Sequence, residues 1–125
     1  MESKIHTEIN IELKLNGITR IVILIGKYAI KIPNFRYSML HFLQGCYSNW
    51  NERQFYKNLT ENKDMVCPCY YCTWFGLISL YKRCNPKLED LTEQEIKNYS
   101  LFHNGDYKKE NFGYYNNKLV CLDYS

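Results

Sequence analysis

The segment that decides the fold runs from residue 103 to residue 125 and reads HNGDYKKENFGYYNNKLVCLDYS. Two short strand-like runs within it are separated by Asn116-Asn117. Because asparagine tolerates the positive φ that a tight two-residue turn needs, we predict a β-hairpin here. The hairpin would return Asp123, at the end of its second strand, to Asn111, just before its first strand.

Oxygen-bearing side chains are concentrated in this segment. Asp106 and Asn111 lie five residues apart in a polar stretch, and the predicted hairpin brings Asp123 back towards them. Two carboxylates and an amide oxygen would then converge. Hard oxygen ligands of this kind suit Mg²⁺ carried by phosphates. The segment therefore predicts a site for a metal and a phosphate-bearing ligand.

The bulk composition fits one domain and excludes two classes of partner. The chain has 125 residues, of which 46% are hydrophobic, and this is enough for one core. Its 16 basic and 13 acidic residues are too balanced to indicate a nucleic-acid-binding protein. The longest apolar run, residues 21–25, is too short to span a bilayer, and the N-terminus lacks a signal-peptide core. We expect a cytoplasmic protein with no nucleic-acid and no membrane partner.

The first third of the chain predicts three antiparallel strands. Apolar and polar residues alternate from residue 5 to residue 15, which is the period of a half-buried strand. Asn16-Gly17 is a strong hairpin turn that leads into a return strand over residues 18–25. A third strand covers residues 28–32 and is stopped by Pro33.

Lys31 stands out because it is the charged residue of this third strand. Alternation places it on the same face as Ala29, and a small side chain beside a lysine leaves room for a ligand. The alternative is a lysine on the solvent face of an ordinary edge strand. The sequence-local candidate for its partner is Glu52, because no other carboxylate lies between Glu12 and Glu61.

Residues 36–59 predict a helix, with a break near Gly45. Their apolar residues recur close to 3.6-residue spacing. These residues are Leu40, Leu43, Tyr47, Trp50, Phe55 and Leu59. Glu52 lies within the same helix, where the alternative to a partnership with Lys31 is a solvated position on the helix surface.

The middle of the chain predicts two further strands, over residues 65–71 and 73–81, which are rich in aromatic and β-branched residues. A connecting segment follows over residues 82–87. A short helix is predicted from residue 90 to residue 101, because the pattern from Thr92 to Glu95 is typical of a capping box.

Six cysteines leave two interpretations open. Cys67, Cys69 and Cys72 have C-x-C-x-x-C spacing and could give three thiolates to structural zinc, with Cys84 or Cys121 as a fourth. The segment also reads as a strand, in which neighbouring side chains point to opposite faces. Reduced cysteines that act as small hydrophobic residues are the favoured interpretation.

Together these motifs resemble those of the protein-kinase-like superfamily, which includes aminoglycoside phosphotransferases. The segment from Asp106 to Asn111 is similar to the D-x-x-x-x-N catalytic loop. Leu122-Asp123-Tyr124-Ser125 is similar to the Asp-Phe-Gly motif, and Ala29-Ile30-Lys31 is similar to the Val-Ala-Ile-Lys strand.

The resemblance implies catalytic roles for three residues. Asp106 would orient the attacking hydroxyl, and Lys31 would hold the ATP phosphates while paired with Glu52. Asn111 and Asp123 would bind Mg²⁺. The order and approximate spacing of Lys31 and Glu52 match the lysine and helix glutamate of the family.

The resemblance also implies a nucleotide pocket. Ala29 would line the adenine site, and the turn at Asn16 and Gly17 would approach the phosphates. That turn departs from the family pattern because it lacks G-x-G-x-x-G. His103 also departs from the pattern, since it lies three residues before Asp106 instead of two.

The resemblance implies an α+β architecture for a single minimal domain over residues 1–125. Residues from about 5 to 82 would form an N-terminal lobe of five antiparallel strands and one helix. Residues from about 83 to 125 would supply the hinge, a short helix and the catalytic and metal loops, without a helical C-terminal lobe.

Two functions follow from the resemblance. The first is a minimal phosphotransferase that binds Mg-ATP and transfers phosphate to a small-molecule or partner hydroxyl. The second is a non-catalytic kinase-like regulator, comparable to compact viral or mobile-element regulators, that binds a partner protein. The surface left by a missing lobe would suit such a protein partner or a homodimer mate.

Overall fold

A five-stranded antiparallel sheet carrying one long helix forms the larger part of this α+β fold. A computed structural model describes residues 11–15, 17–99 and 107–124. The helices and strands, in chain order, are β1 (Ile11–Lys14), β2 (Arg20–Ile25), β3 (Tyr28–Pro33), α1 (Met39–Asn58), β4 (Cys69–Cys72), β5 (Ser79–Lys82), β6 (Asn85–Pro86), α2 (Glu93–Asn98), β7 (Phe112–Tyr115) and β8 (Lys118–Cys121).

The large sheet places β3 in its interior. Its strand order is β1-β2-β3-β5-β4, with antiparallel pairing throughout. Lys31 lies opposite Val22 on one neighbouring strand and opposite Ser79 on the other. The alternative of a lysine exposed on an edge strand is therefore wrong. Ala29 and Lys31 are both buried, which confirms that they share one face of the strand.

Helix α1 runs unbroken, so the predicted break near Gly45 is wrong. Ser38 caps its first turn by accepting a hydrogen bond from the His41 N–H. Gly45 instead permits close packing on the sheet, because a Cβ atom there would lie 2.2 Å from the carbonyl oxygen of Thr19. The buried side of the helix consists of Gly45, Cys46, Asn49 and Glu52.

The apolar side of α1 faces outward over the first part of the helix, whereas Phe55 and Tyr56, further along, pack against the core. Leu40, Leu43, Tyr47 and Trp50, here called the apolar stripe, are 64%, 56%, 67% and 45% exposed. A surface helix of a globular protein ordinarily turns such a stripe towards the core. In this chain the small and polar residues occupy that position instead.

The predicted strand over residues 73–81 is wrong in its first part. Trp74–Gly76 forms a 3-10 turn, in which the Gly76 N–H donates to the Thr73 carbonyl. Phe75 and Gly76 both have positive φ, which turns the chain out of the extended conformation. Residues 63–65 form another 3-10 turn, so the predicted strand over residues 65–71 begins only at Cys69.

The predicted terminal hairpin is confirmed. Strands β7 and β8 pair antiparallel, and Asn116 and Asn117 have φ angles of 52° and 63° in the connecting turn. β6 pairs with β7 to complete a three-stranded sheet, so part of the predicted hinge is a short strand. Beyond the end of the pairing, the Leu122 N–H donates to the Asn111 carbonyl at 2.8 Å.

The capping box of the second helix is also confirmed. The Glu95 N–H donates to the Thr92 hydroxyl, and the Glu95 carboxylate accepts from the Thr92 N–H. The helix covers residues 93–98, which is shorter than predicted, and the last residues of the predicted helix lie outside the described residues.

The core joins the terminal hairpin to the large sheet. One cluster consists of Val66, Tyr99, Phe112, Leu119, Cys121 and Tyr124. A second cluster consists of Ala29, Cys67, Cys69, Tyr81 and Val120. Since adjacent residues of β8 belong to different clusters, the hairpin packs against both, and this fixes the position of the residues that follow it.

Among residues 11–15, 17–99 and 107–124, no helix is both long and apolar enough to cross a membrane.

Candidate functional site

Glu52 is the centre of a buried charge cluster. Its side chain is fully buried, and its carboxylate accepts hydrogen bonds from Arg20 at 2.6 and 3.2 Å and from Lys31 at 3.1 Å. The Tyr81 hydroxyl donates to it at 2.5 Å, and the backbone N–H of Tyr124 donates at 2.9 Å. A buried carboxylate needs this number of partners because each lost hydration bond is costly.

Three elements bring the cluster together. β2 begins with Arg20, the neighbouring strand β3 carries Lys31, and α1 lies across both strands with Glu52 on its buried side. Asn49, nearly one turn before Glu52, fixes the helix on the sheet. Its amide nitrogen donates to the carbonyl oxygens of Lys31 at 3.0 Å and Gly76 at 2.9 Å. Its side-chain oxygen accepts from Arg20 at 3.1 Å.

The Lys31 ammonium links the helix to the chain after the hairpin. It donates to Glu52 at 3.1 Å and to the carbonyl oxygen of Leu122 at 2.7 Å. It also lies 4.3 Å from the centroid of the Tyr81 ring, a cation–π distance. The lysine is 7% exposed, so these contacts replace most of its hydration.

Three consecutive residues after β8 each bond a different charged residue of the cluster. The Leu122 carbonyl accepts from Lys31, and the Tyr124 N–H donates to Glu52. Between them, the Asp123 carboxylate accepts from Arg20 at 3.0 Å. The Asp123 side chain is 45% exposed, whereas that of Glu52 is buried. Asp123 is therefore the member of the cluster that solvent reaches best.

The charges within the cluster keep both Glu52 and Arg20 ionised. Burial by itself raises the pKa of the Glu52 carboxyl, but the charges of Arg20 and Lys31 outweigh burial and hold that pKa well below its ordinary value. Burial tends to lower the pKa of Arg20, yet Glu52 and Asp123 raise it above its ordinary value. Two cations and two carboxylates thus balance within the cluster.

Tyr81 acts in this network as a neutral donor. Burial, and next the charge of Glu52, raise the pKa of the Tyr81 hydroxyl well above its ordinary value. The hydroxyl therefore keeps its proton at neutral pH and donates a hydrogen bond to the carboxylate.

The structure brings together three of the predicted site residues. Lys31 pairs with Glu52, so the alternative of a solvated helix glutamate is wrong. Asp123 joins them through Arg20. Asn111 lies next to the segment that follows β8, because its carbonyl accepts a hydrogen bond from the Leu122 N–H.

The remaining predicted residues lie elsewhere. Asp106 and Asn16 are outside the described residues. Gly17 is exposed, and its carbonyl accepts from the Asn34 side chain at 3.0 Å, which ties Gly17 to the residue that follows β3. Ala29 belongs to the second core cluster, and Leu122 packs against this cluster.

The predicted cysteine cluster is divided in the fold. Cys67 lies with its sulfur 3.3 Å from that of Cys84, whereas Cys69 lies within hydrogen-bond reach of Ser79. The hydrogen bond with Cys84, together with burial, raises the pKa of the Cys67 thiol. In the described part of the chain, no group of three or more histidine, cysteine or acidic side chains could hold a metal ion.

Sequence reasoning missed Arg20, Asn49 and Tyr81. Arg20 directly precedes the apolar run of β2, and Asn49 lies three residues before Glu52 on the helix. Asn49 shares the buried face of α1 with the recognised residue Glu52, and that is a usable signal. Tyr81 gave no signal, because twelve tyrosines are scattered through the chain.

Comparison with protein-family models, curated proteins and solved structures finds no match to this chain.

Proposed function

We propose that the chain is a minimal kinase-like protein that binds Mg-ATP at the corner formed by Lys31, Asn111 and Asp123. The observation that carries the proposal is the buried ion pair between Lys31 and Glu52. The segment after β8 bonds both members of this pair, since the Leu122 carbonyl accepts from Lys31 and the Tyr124 N–H donates to Glu52. A lysine fixed by a helix glutamate, close to an aspartate that follows a hairpin, is the arrangement that the family resemblance implies.

The fold supports this assignment at a coarser level. The helix that carries Glu52 connects the third and fourth strands of a five-stranded antiparallel sheet. An ammonium has three N–H donors. Two of those of Lys31 bond Glu52 and Leu122, and the third would donate to a phosphate oxygen.

The oxygen ligands present are compatible with Mg²⁺. This ion is usually held by one or two protein carboxylates, together with phosphate oxygens and water, so a dedicated cage is not needed. Asp123 would supply a partly exposed carboxylate, and Asn111, whose carbonyl accepts from the N–H of the adjacent Leu122, would supply an amide oxygen. When bound, Mg-ATP would supply the phosphoryl group for transfer.

Arg20 is the residue that metal binding would affect most. It neutralises Asp123 through a 3.0 Å ion pair while it also holds Glu52. Because a divalent cation would neutralise Asp123 instead, Arg20 would then be available to an additional phosphate oxygen. Its guanidinium is suited to bidentate phosphate binding.

Ligand-dependent melting tests the binding step. We expect Mg-ATP at about 100 times its dissociation constant to raise the melting temperature by several degrees. Asp123→Asn should abolish the shift, because it removes the carboxylate charge. Asp90→Asn, which alters an exposed aspartate elsewhere, should leave the shift unchanged. The proposal fails if millimolar Mg-ATP leaves the melting temperature of the native chain unchanged.

Phosphoryl transfer to a small-molecule or partner hydroxyl would additionally require Asp106. We expect Asp106→Asn to retain the Mg-ATP melting shift and to lose phosphate release or transfer, because the residue would orient the acceptor and not the nucleotide. Turnover that survives in this variant would reject the catalytic role of Asp106 without affecting the binding proposal.

A second candidate function is that of a non-catalytic kinase-like module that binds a protein. Two observations favour it. Lys31 and Asp123 both have internal ionic partners, so the cluster also serves to fix the terminal segment on the sheet. The second observation is the exposure of the apolar stripe, because exposed apolar patches often mark sites of protein–protein contact. The absence of a melting shift with Mg-ATP would support this candidate over the first.

A further inference from the structure

The outer side of α1 continues into a wider apolar surface. Met39 directly precedes the apolar stripe in the sequence and is 70% exposed. Beside the helix, Trp74 and Phe75 are 77% and 62% exposed. Between the helix and these two aromatic residues lies a groove of about 360 Å³, lined by Leu43, Cys46, Tyr47, Trp50, Trp74 and Phe75.

The groove has a fixed wall. The rings of Trp74 and Phe75 lie 4.0 Å apart between centroids. Gly76 anchors them to the helix, because its positive φ and lack of a Cβ allow approach to the Cys46 carbonyl, where a Cβ would come within 2.0 Å. The Gly76 carbonyl is also held by Asn49. The same side chain thus supports both the charge cluster and the groove.

The exposed area is sufficient for a stable interface. At roughly 200 Å² for a fully exposed large side chain, the seven apolar residues expose roughly 900 Å². A standard protein–protein interface buries about 800 Å² on each partner. Patches of this size on monomers usually mark sites of interaction.

The charges of α1 also suit contact between two identical helices. Glu52 is the carboxylate of α1, and it is buried in the cluster. Gln44 and Asn51, which flank the apolar stripe, are uncharged. Two copies would therefore bring no pair of like charges into the centre of the contact, where such a pair would be costly.

We propose that a second copy of this chain docks on this surface, with the two α1 helices antiparallel across a two-fold axis. The stripe positions are spaced by three, four and three residues, which is the spacing of a coiled-coil seam. This spacing is symmetric about Gly45. An antiparallel copy therefore places Leu40 opposite Trp50 and Leu43 opposite Tyr47.

The sizes of the side chains favour the antiparallel arrangement. Each of its four layers contains one leucine and one aromatic residue, so the layers are of similar width. A parallel arrangement would place Trp50 opposite Trp50 and Leu40 opposite Leu40, which makes the separation of the helices unequal along the seam. Alternation of large and small residues across a contact gives closer packing. This dimer does not depend on nucleotide binding.

Sedimentation equilibrium of the full chain tests the proposal. We expect a dimer at about 100 μM protein and at least a 100-fold weaker association in Leu43→Glu, because a carboxylate would be buried in the seam. Leu88→Glu, the same change at a residue that is 79% exposed outside the surface, should remain dimeric. A monomeric native chain, or a Leu43→Glu variant that remains dimeric, overturns the proposal.

A mixing experiment tests the orientation. Leu43→Glu and Tyr47→Lys should each be monomeric, whereas an equimolar mixture should form a heterodimer, because the antiparallel seam brings position 43 of one copy to position 47 of the other. A parallel seam would leave each charge opposite an apolar residue. Failure of the mixture to associate, while the native chain is dimeric, contradicts the antiparallel arrangement. Circular dichroism of the two variants is the control for folding, and both should give the spectrum of the native chain.

Discussion

Helix α1 presents two opposed faces. The buried face carries Gly45, Cys46, Asn49 and Glu52, and the exposed face carries the apolar stripe. Hydrophobic burial therefore contributes little to holding residues 40–50 of the helix on the sheet. Close backbone packing at Gly45, together with the hydrogen bonds and ion pairs of Asn49 and Glu52, positions the helix instead.

The two faces differ in what compensates for their cost. A buried charge and an exposed apolar patch are each more informative than their ordinary counterparts, because each is costly unless something compensates for it. Within the chain, the compensation for Glu52 is complete, since Arg20, Lys31 and Tyr81 bond it. For the apolar stripe the proposed compensation lies in a second copy.

The largest expected effect comes from the removal of the central carboxylate. Glu52→Ala should lower the free energy of unfolding by about 3–5 kcal/mol, because it leaves Arg20 and Lys31 buried without their common partner. Urea unfolding measures the loss. Glu61→Ala, at an exposed carboxylate, should change stability by less than about 0.5 kcal/mol. Similar losses for the two variants would show that the buried face does not hold the helix.

The pH dependence of stability sharpens the same point. The pKa of Glu52 in the folded protein lies below its ordinary value of 4.5, so the folded protein binds fewer protons than the unfolded chain. Its stabilisation is thus present above about pH 4.5 and is lost as the pH falls further. Urea midpoints measured between about pH 7 and pH 3 should decline more steeply for the native chain than for Glu52→Gln. Parallel curves would contradict this assignment.

A smaller effect is expected at Asn49. Asn49→Leu should cost about 2 kcal/mol, because it leaves the Lys31 and Gly76 carbonyls without their donor. Asn51→Leu, at a half-buried position of the same helix, is the matched control and should be close to neutral. Equal urea midpoints for the two variants would mean that the Asn49 hydrogen bonds do not fix the helix.

The smallest effect is expected on the apolar face. Leu40→Ala should change the stability of the monomer by less than about 0.5 kcal/mol, measured at a dilution that prevents association. A leucine in a packed core would lose about 2–5 kcal/mol on the same change. A loss in that upper range would show that the stripe packs within its own chain, which would remove the contrast between the two faces.

Local turn and cap chemistry was predictable from the sequence. Asn116-Asn117 gave the terminal hairpin, and Thr92 with Glu95 gave the capping box, because both depend on residues close in the chain. The third strand and the pairing of Lys31 with Glu52 also followed from pattern and order. The family resemblance remains a prediction.

The orientation of α1 could not be predicted in the same way. Apolar periodicity identifies a helix, but Asn49 and Glu52 also recur at helical spacing, and which face is buried depends on the sheet beneath it. Arg20 was missed for a related reason, since its partner Glu52 is 32 residues away. The turn at Phe75 was missed because an aromatic residue rarely adopts positive φ.

The most direct test of the central claim is a crystal structure of the chain with Mg²⁺ and a non-hydrolysable ATP analogue. The proposed function predicts that the Lys31 ammonium donates to a phosphate oxygen. It also predicts that an Asp123 carboxylate oxygen lies about 2.1 Å from Mg²⁺ and that its ion pair with Arg20 is broken. A nucleotide bound away from Lys31, or an unchanged charge cluster without bound nucleotide at saturating concentration, would contradict it.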